Sequence, residues 1–135
     1  MWDITDNEKM KIEFKPELDI NDLRRMKPKI VWLMIDFWQY CKEKNLPCLI
    51  TSLMEDAPGR KSTTHVSGRA FDASARGWST DEIDNFIIDF NNKWKNIGTA
   101  PLGKPPKAVI FHVTRNGEGE MISPGHFHFQ VRRGA

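Results

Sequence analysis

The stretch His126-Phe127-His128-Phe129-Gln130-Val131 alternates polar side chains with aromatic or aliphatic ones. Successive side chains of a β-strand point to opposite faces, so this alternation predicts a strand with two distinct surfaces. We expect the phenylalanines to pack on helices in the core. The opposite face would carry His126, His128 and Gln130, which brings two imidazoles together on one surface of a sheet.

A second strand is predicted just before this stretch, at residues 108–114, and the two would form a hairpin. In that hairpin His112 would lie beside the histidines of the later strand. The connection contains Asn116-Gly117, a strong turn signal. It continues to Gly125, however, and is therefore long enough to be an extended functional loop. Two further short strands are predicted at residues 46–52 and 69–74.

Two amphipathic helices are predicted from apolar residues at helical spacing. The first covers residues 21–45, with Pro28 marking a break or restart. The second is capped by Ser79 or Thr80 and ends at Gly98 in the left-handed conformation. The buried stripes consist of Ile30, Met34, Phe37, Trp38 and Cys41 in the first helix and Ile83, Phe86, Ile87, Phe90 and Trp94 in the second. The apolar neighbours Val31, Leu33 and Ile35 predict that the first helix is heavily covered.

These elements predict an α+β fold in which a small antiparallel sheet carries the histidines and packs against two main helices. A chain of 135 residues is long enough for one domain with a hydrophobic core, covering residues 1–135. Within it, residues 1–18 are polar and would form an arm or a first short element. We expect a monomer.

Composition and charge exclude several classes of protein. The chain is 39% hydrophobic and 28% charged, as in soluble globular proteins, and its net charge of +2 is too small to indicate a nucleic-acid partner. The most apolar run, residues 30–37, is too short to span a membrane. The first residues show no signal-peptide pattern, so we expect synthesis in the cytoplasm. Cys41 and Cys48 fit buried free thiols better than a disulfide framework.

The other histidine-bearing stretch is His65-Val66-Ser67-Gly68-Arg69-Ala70-Phe71-Asp72. Two imidazoles and a carboxylate from separate segments suit a catalytic zinc, which takes three protein ligands and keeps one open position. A structural zinc would more often be closed by thiolates, and the chain has only two cysteines. Gly68 and Ala70 are small enough to let the backbone turn and approach closely where a metal sits.

Asp72 has apolar neighbours, among which an unpaired carboxylate would be destabilising, and metal ligation would compensate for its burial. The alternative is that Asp72 caps a turn or pairs with Arg69 or Arg76. A His-x-His pair is likewise compatible with two surface histidines that bind no metal.

The pattern His65-x-x-Gly68-x-Ala70-x-Asp72, followed by His126-x-His128, resembles the zinc peptidases of the lysostaphin, D-Ala-D-Ala peptidase and hedgehog superfamily. Within that superfamily it is most similar to the D-Ala-D-Ala carboxypeptidase-like branch, which includes phage endolysins. Ser62, three residues before His65, also resembles that branch. The resemblance extends from about residue 20 to the end. It implies that His65, Asp72 and His128 bind zinc and that His126 is a catalytic or supporting histidine.

The chain departs from this family pattern at two places. Relatives usually carry Glu or Asp three residues before the last ligand as general base, whereas this chain has Gly125. In variants that read His-Phe-His, the first histidine takes over much of that role; Glu118 and Glu120 are the nearby carboxylates that could replace the base. Many relatives also carry an arginine after Thr-Ser for the substrate carboxylate, and here Arg60, Lys61 and Arg69 are the alternatives.

The resemblance implies a zinc metallopeptidase that hydrolyses peptidoglycan stem or cross-bridge peptides, as a D-Ala-D-Ala carboxypeptidase or an endolysin-type endopeptidase. A phage lysis enzyme would act on the cell wall after leaving through a membrane pore. The residues expected near the substrate or supporting the site are Arg60, Ser62, Trp78, His112 and Gln130. Trp78 would line a substrate cleft or, alternatively, pack in the hydrophobic core. The alternative function, favoured by Gly125, is a zinc-retaining but inactive binding or virion structural protein.

Overall fold

A computed structural model describes residues 11–55, 64–99, 105–113, 116–119 and 125–135. The strands are β1 (Glu13–Phe14), β2 (Leu49–Ser52), β3 (Ala70–Ser74), β4 (Val109–His112) and β5 (His126–Gln130). The helices are α1 (Pro28–Lys44) and α2 (Thr80–Lys93), and a 3-10 helix (Ile20–Arg24) precedes α1. This content confirms the predicted α+β fold with two main helices.

The five described strands form one sheet in the order β1-β2-β3-β5-β4. The pairs β2–β3, β3–β5 and β4–β5 are antiparallel, and the predicted hairpin of the last two strands is confirmed. The exception is β1, which lies within the predicted N-terminal arm and pairs in parallel with β2, Glu13 opposite Leu49. The sheet is therefore mostly, not wholly, antiparallel.

Helix α1 begins at Pro28, which confirms the predicted break or restart at this proline; the residues before it form the separate 3-10 helix. Proline suits this first position because the first backbone N–H groups of a helix have no partner within it. The helix ends at Asn45, which adopts the left-handed conformation at φ 55°. The prediction of a heavily covered helix is wrong, because Trp32 and Ile35 on its outer side are 53% and 47% exposed.

Helix α2 begins with a capping box, in which the Ser79 hydroxyl accepts from the Glu82 N–H and the Glu82 carboxylate accepts from the Ser79 N–H. The helix ends at Lys93, so the prediction that Gly98 terminates it is wrong. Gly98 instead permits a close approach, since a Cβ there would lie 2.6 Å from the carbonyl carbon of Lys107. In the described part of the chain, neither helix is long and apolar enough to cross a membrane.

The core lies between the helices and one face of the sheet. Phe127 and Phe129 are completely buried, and their rings contact Phe37 of α1, with centroids 5.9 and 4.9 Å away, and Phe86 of α2, with centroids 5.3 and 6.0 Å away. Burying an aromatic side chain of this size contributes about 1.5–3 kcal/mol to folding. The alternation predicted for β5 is confirmed. Because its phenylalanines are fixed in the core, its histidines lie on the opposite face of the sheet.

The two cysteines are buried free thiols within this core, as predicted. A hydrogen bond to Cys48, together with burial, raises the pKa of Cys41 far above its ordinary value. The Cys41 thiol is therefore uncharged at neutral pH and behaves as a small apolar side chain.

Candidate metal centre

The register of the sheet collects the polar side chains on the face opposite the core. Asp72 of β3 lies directly across from His128 of β5, and His126 has Ser74 on one side and His112 on the other. Directly opposed residues of antiparallel strands point to the same face. Three strands thus contribute a carboxylate and three imidazoles to one surface.

His65 reaches this surface from a tight turn before β3. Gly68 closes the turn at φ +73°, a conformation that glycine adopts readily. Its N–H donates to the carbonyl of His65, and its own carbonyl accepts from the N–H of Lys27. A Cβ at Gly68 would lie 3.0 Å from the Cα of Met26. The predicted need for a small residue is confirmed, although the backbone that comes close is that of residues 25–27.

A β-bulge in β2 places Ser52 on the same face. Ile50 pairs with Ala73 and is completely buried in the core, whereas Ser52 pairs with Asp72. Two residues of β2 therefore correspond to one residue of β3, and this extra residue turns Ser52 to the opposite face from Ile50. Its hydroxyl lies 3.4 Å from Nδ1 of His65.

His65, Asp72 and His128 form one cluster that can hold a metal ion. Their ligand atoms all lie within 4.8 Å of one another. Nε2 of His65 is 3.3 Å, and Nδ1 of His128 is 2.8 Å, from the same Asp72 oxygen, Oδ1. Zinc bonds of about 2.0–2.2 Å at tetrahedral angles separate neighbouring ligand atoms by about 3.3–3.6 Å. The His65–Asp72 separation lies in this range and the His128–Asp72 separation is shorter, so the donor set suits such an ion once the ligand atoms adjust their spacing.

The Asp72 carboxylate is stabilised in its charged form. Burial, which leaves the residue 9% exposed, would raise its pKa. Hydrogen bonds with His128 and His65 act in the opposite direction and prevail, so the pKa of Asp72 lies well below its ordinary value. The carboxylate is therefore ionised at neutral pH, as a metal ligand must be. The alternative pairing with Arg69 is not formed, because that guanidinium donates to the Val131 carbonyl and to the Ser67 hydroxyl.

Each of the two histidines in the cluster has one ring nitrogen that faces Asp72 and another that faces away. An oxygen atom lies beside the nitrogen that faces away. Nδ1 of His65 lies 2.7 Å from the carbonyl oxygen of Leu53, to which it donates its proton. Nε2 of His128 lies 3.0 Å from Oε1 of Gln130. If a metal took the place of the hydrogen bonds to Asp72, a proton on the outer nitrogen would leave the inner nitrogen of a neutral ring with a lone pair for the metal.

Sequence reasoning missed the parts that Ser52 and Leu53 play at His65. The carbonyl of Leu53 is a backbone group, so no pattern of side chains could identify it. For Ser52, the serine at the end of a predicted strand was a visible signal, but its face depends on the bulge.

His126 and His112 lie next to the cluster without belonging to it. The rings of His112 and His126 are 5.4 Å apart, and the rings of His112 and His128 are 6.0 Å apart. The position predicted for His112, beside the other histidines, is confirmed. Partial burial, with His126 and His128 nearby, lowers the pKa of His112 despite the opposing effect of Asp72. This imidazole is therefore neutral at pH 7 and able to accept a proton.

A side chain at position 125 would not point toward the cluster. A Cβ on Gly125 would lie 1.8 Å from the ring of Phe111, and that ring packs against Phe127 on the core side of the sheet. A carboxylate at this position would point into the core, away from Asp72 and the histidines.

The other residues predicted to support the site do not join the cluster or lie outside the described part of the chain. Trp78 is 8% exposed, stacks on Phe37 and donates its indole N–H to the carbonyl of Pro47, so it has the core role and does not line a cleft. Glu118 is exposed in the turn after β4. Four predicted residues lie outside the described part of the chain: Arg60, Lys61, Ser62 and Glu120.

Comparisons of the chain with protein-family models, with curated proteins and with solved structures found no match.

Proposed function

We propose that the protein is a zinc-dependent peptidase that hydrolyses peptide bonds of peptidoglycan stem or cross-bridge peptides. The observation that carries the proposal is the convergence of His65, Asp72 and His128. Two imidazoles and one carboxylate form the kind of three-residue donor set that catalytic zinc sites use. The motif resemblance supplies the substrate class.

The surroundings of the donor set support a catalytic centre more than a structural one. In the described part of the chain no thiolate is near the cluster, since both cysteines are buried elsewhere. A bound zinc ion would polarise the scissile carbonyl and lower the pKa of its water from 15.7 to about 7. The residues of this chain would provide the remaining functions, which are orientation and proton transfer.

His126 and His112 are the groups placed for proton transfer. Both lie on the metal-binding face, directly opposite each other across β4 and β5. His126 would accept or orient the proton of the attacking water and help to stabilise the developing oxyanion. His112, whose lowered pKa keeps it neutral, would accept a proton beside it. Together these imidazoles would take the role of the carboxylate for which the Phe111 ring leaves no room at position 125.

The proposal is tested by digesting purified peptidoglycan with the zinc-loaded protein and identifying the released peptides by mass spectrometry. We expect new peptide termini that disappear after chelation and return with zinc. Asp72→Ala serves as the inactive control. Intact peptidoglycan after treatment with fully zinc-loaded protein would contradict the proposal.

A second candidate is a zinc-retaining protein of the same fold that binds cell-wall peptides without cleaving them, or serves as a virion component. The observation that favours it is the Phe111 ring beside Gly125, which removes the usual position of the general base. Zinc-dependent binding of the peptides, without any new termini, would identify this candidate.

A further inference from the structure

We infer that Gln130 is a positioning residue for the metal centre, because its side-chain oxygen holds the proton of His128 on Nε2 and so leaves Nδ1 to the metal. The inference rests on the zinc centre of the proposed function but not on peptidase activity. It concerns one hydrogen bond, 3.0 Å long, between Oε1 of Gln130 and Nε2 of His128.

A neutral imidazole carries one proton, on one of its two nitrogens. Nδ1 of His128 faces Asp72 at 2.8 Å and is the nitrogen that belongs to the cluster. If Nδ1 supplies its lone pair to a metal, the proton must be on Nε2. That N–H is partly buried and needs an acceptor, and the Gln130 amide oxygen is in place to accept it.

The geometry of β5 makes this contact specific. Gln130 follows His128 by two residues and points to the same face, while the Gln130 N–H donates to the carbonyl of Ala108 at 2.9 Å. Across β3 the opposing residue is Ala70, whose small side chain leaves room for the amide. The Gln130 side chain extends along its own strand and reaches His128.

The two histidine ligands differ in how they are held. For His65 the acceptor is the backbone carbonyl of Leu53, at 2.7 Å, and no substitution removes that group. For His128 the acceptor is a single side chain. Gln130 is therefore the point at which the orientation of a ligand can be changed without altering the ligand itself. Partners of this kind typically contribute 10–100-fold to metal affinity.

The experiment measures zinc affinity by competition with a chromogenic chelator in the full chain and three variants. Gln130→Met keeps the size and removes the acceptor, and we expect it to bind zinc on the order of 10–100-fold more weakly. Gln130→Glu keeps an acceptor and should retain the wild-type affinity or exceed it. Gln39→Met makes the same replacement on the exposed side of α1 and should leave the affinity unchanged.

A second readout follows the proton itself. In the zinc-loaded wild type, ¹H–¹⁵N spectra should show the His128 proton on Nε2 and the His65 proton on Nδ1. In Gln130→Met the His128 proton should exchange faster with solvent while that of His65 is unaffected. A general loss of folding would alter both histidines, so this readout separates positioning from stability.

The outcomes are distinct. The inference would be overturned if Gln130→Met bound zinc within threefold of the wild-type affinity. It would also be overturned if Gln130→Glu lost as much affinity as Gln130→Met, because the loss would then come from the changed shape of the side chain and not from the missing acceptor. Failure of the wild type to bind zinc would overturn both the metal centre and the inference. If the variants showed the expected zinc affinities but the protein cleaved no peptide, the inference about Gln130 would hold and only the proposed peptidase activity would be refuted.

Discussion

Asp72 and His128 face each other directly across β3 and β5, and Oδ1 of the carboxylate lies 2.8 Å from Nδ1 of the imidazole. The same register places Phe71 opposite Phe129 in the core, with their rings stacked 4.3 Å apart. A slip of one residue would exchange the two faces of β5. Packing of the phenylalanines therefore fixes the register that brings Asp72 and His128 together.

Alanine substitutions should identify the metal ligands. We expect about one zinc per wild-type chain. His65→Ala, Asp72→Ala and His128→Ala should each lose more affinity than the roughly 10–100-fold that outer partners contribute. Elemental analysis after dialysis measures the effect, and His112→Ala, next to the cluster but outside it, should keep its metal. Full occupancy in any two of the three ligand variants would refute the assignment.

Metal removal should destabilise the fold, because the ligands come from separate segments that the unfolded chain does not hold together. At a free zinc concentration of 100 times Kd, binding contributes about 2.7 kcal/mol, which corresponds to a change in Tm on the order of 10 °C. Thermal melts with and without EDTA test this. The His65→Ala variant should show little response to EDTA; an unchanged wild-type Tm after verified metal removal would contradict the prediction.

His126→Ala should separate catalysis from metal binding. His126 lies on the same face of the sheet as the His65-Asp72-His128 cluster but is not one of its three residues, so the variant should retain zinc. If the imidazole handles the water proton or the oxyanion, turnover should fall by roughly 10²–10⁴. Zinc content and peptide release are measured on the same sample. Loss of zinc would make His126 a ligand, and normal turnover would transfer the role to His112 or Glu118.

His112 should make the metal-free protein more sensitive to acid. Its pKa is lowered in the folded state, so the unfolded chain takes up the proton first as the pH falls through about 6.5. Between pH 8 and pH 5 the wild type should therefore lose more stability than His112→Asn. Urea denaturation of both proteins in EDTA across this range provides the measurement. If the wild type lost no more stability than the variant over this pH range, the prediction would be wrong, because folding would then not lower the pKa of His112.

Gly125→Ala should destabilise the protein through Phe111. The new methyl group would meet a ring atom at 1.8 Å, and overpacking of this kind costs about 1–3 kcal/mol. The loss should be smaller in a Phe111→Ala background, which a double-mutant cycle measures by chemical denaturation. Gly117→Ala is the matched control, since a Cβ at that position would have no neighbour within 4 Å. Equal losses in both backgrounds would exclude the Phe111 contact as the cause.

Much of the fold could be predicted because its signals are local. The alternation in β5, the proline at the start of α1 and the helix cap at Ser79 each depend on residues a few positions apart. The end of α2 was mispredicted because Gly98 is required by a distant backbone, that of Lys107, and not by the helix. The exposed side of α1 was also mispredicted, since apolar residues such as Trp32 do not show whether another element covers them.

The sequence by itself determined the types of residue at the site, the faces of β5 and the conformational need at Gly68. Only the tertiary structure decided which atoms meet. The bulge in β2 turns Ser52 toward His65, the β3–β5 register sets Asp72 against His128, and Phe111 closes position 125. These relationships join segments up to about sixty residues apart. They depend on strand register and side-chain packing, which a one-dimensional pattern of residue types does not contain.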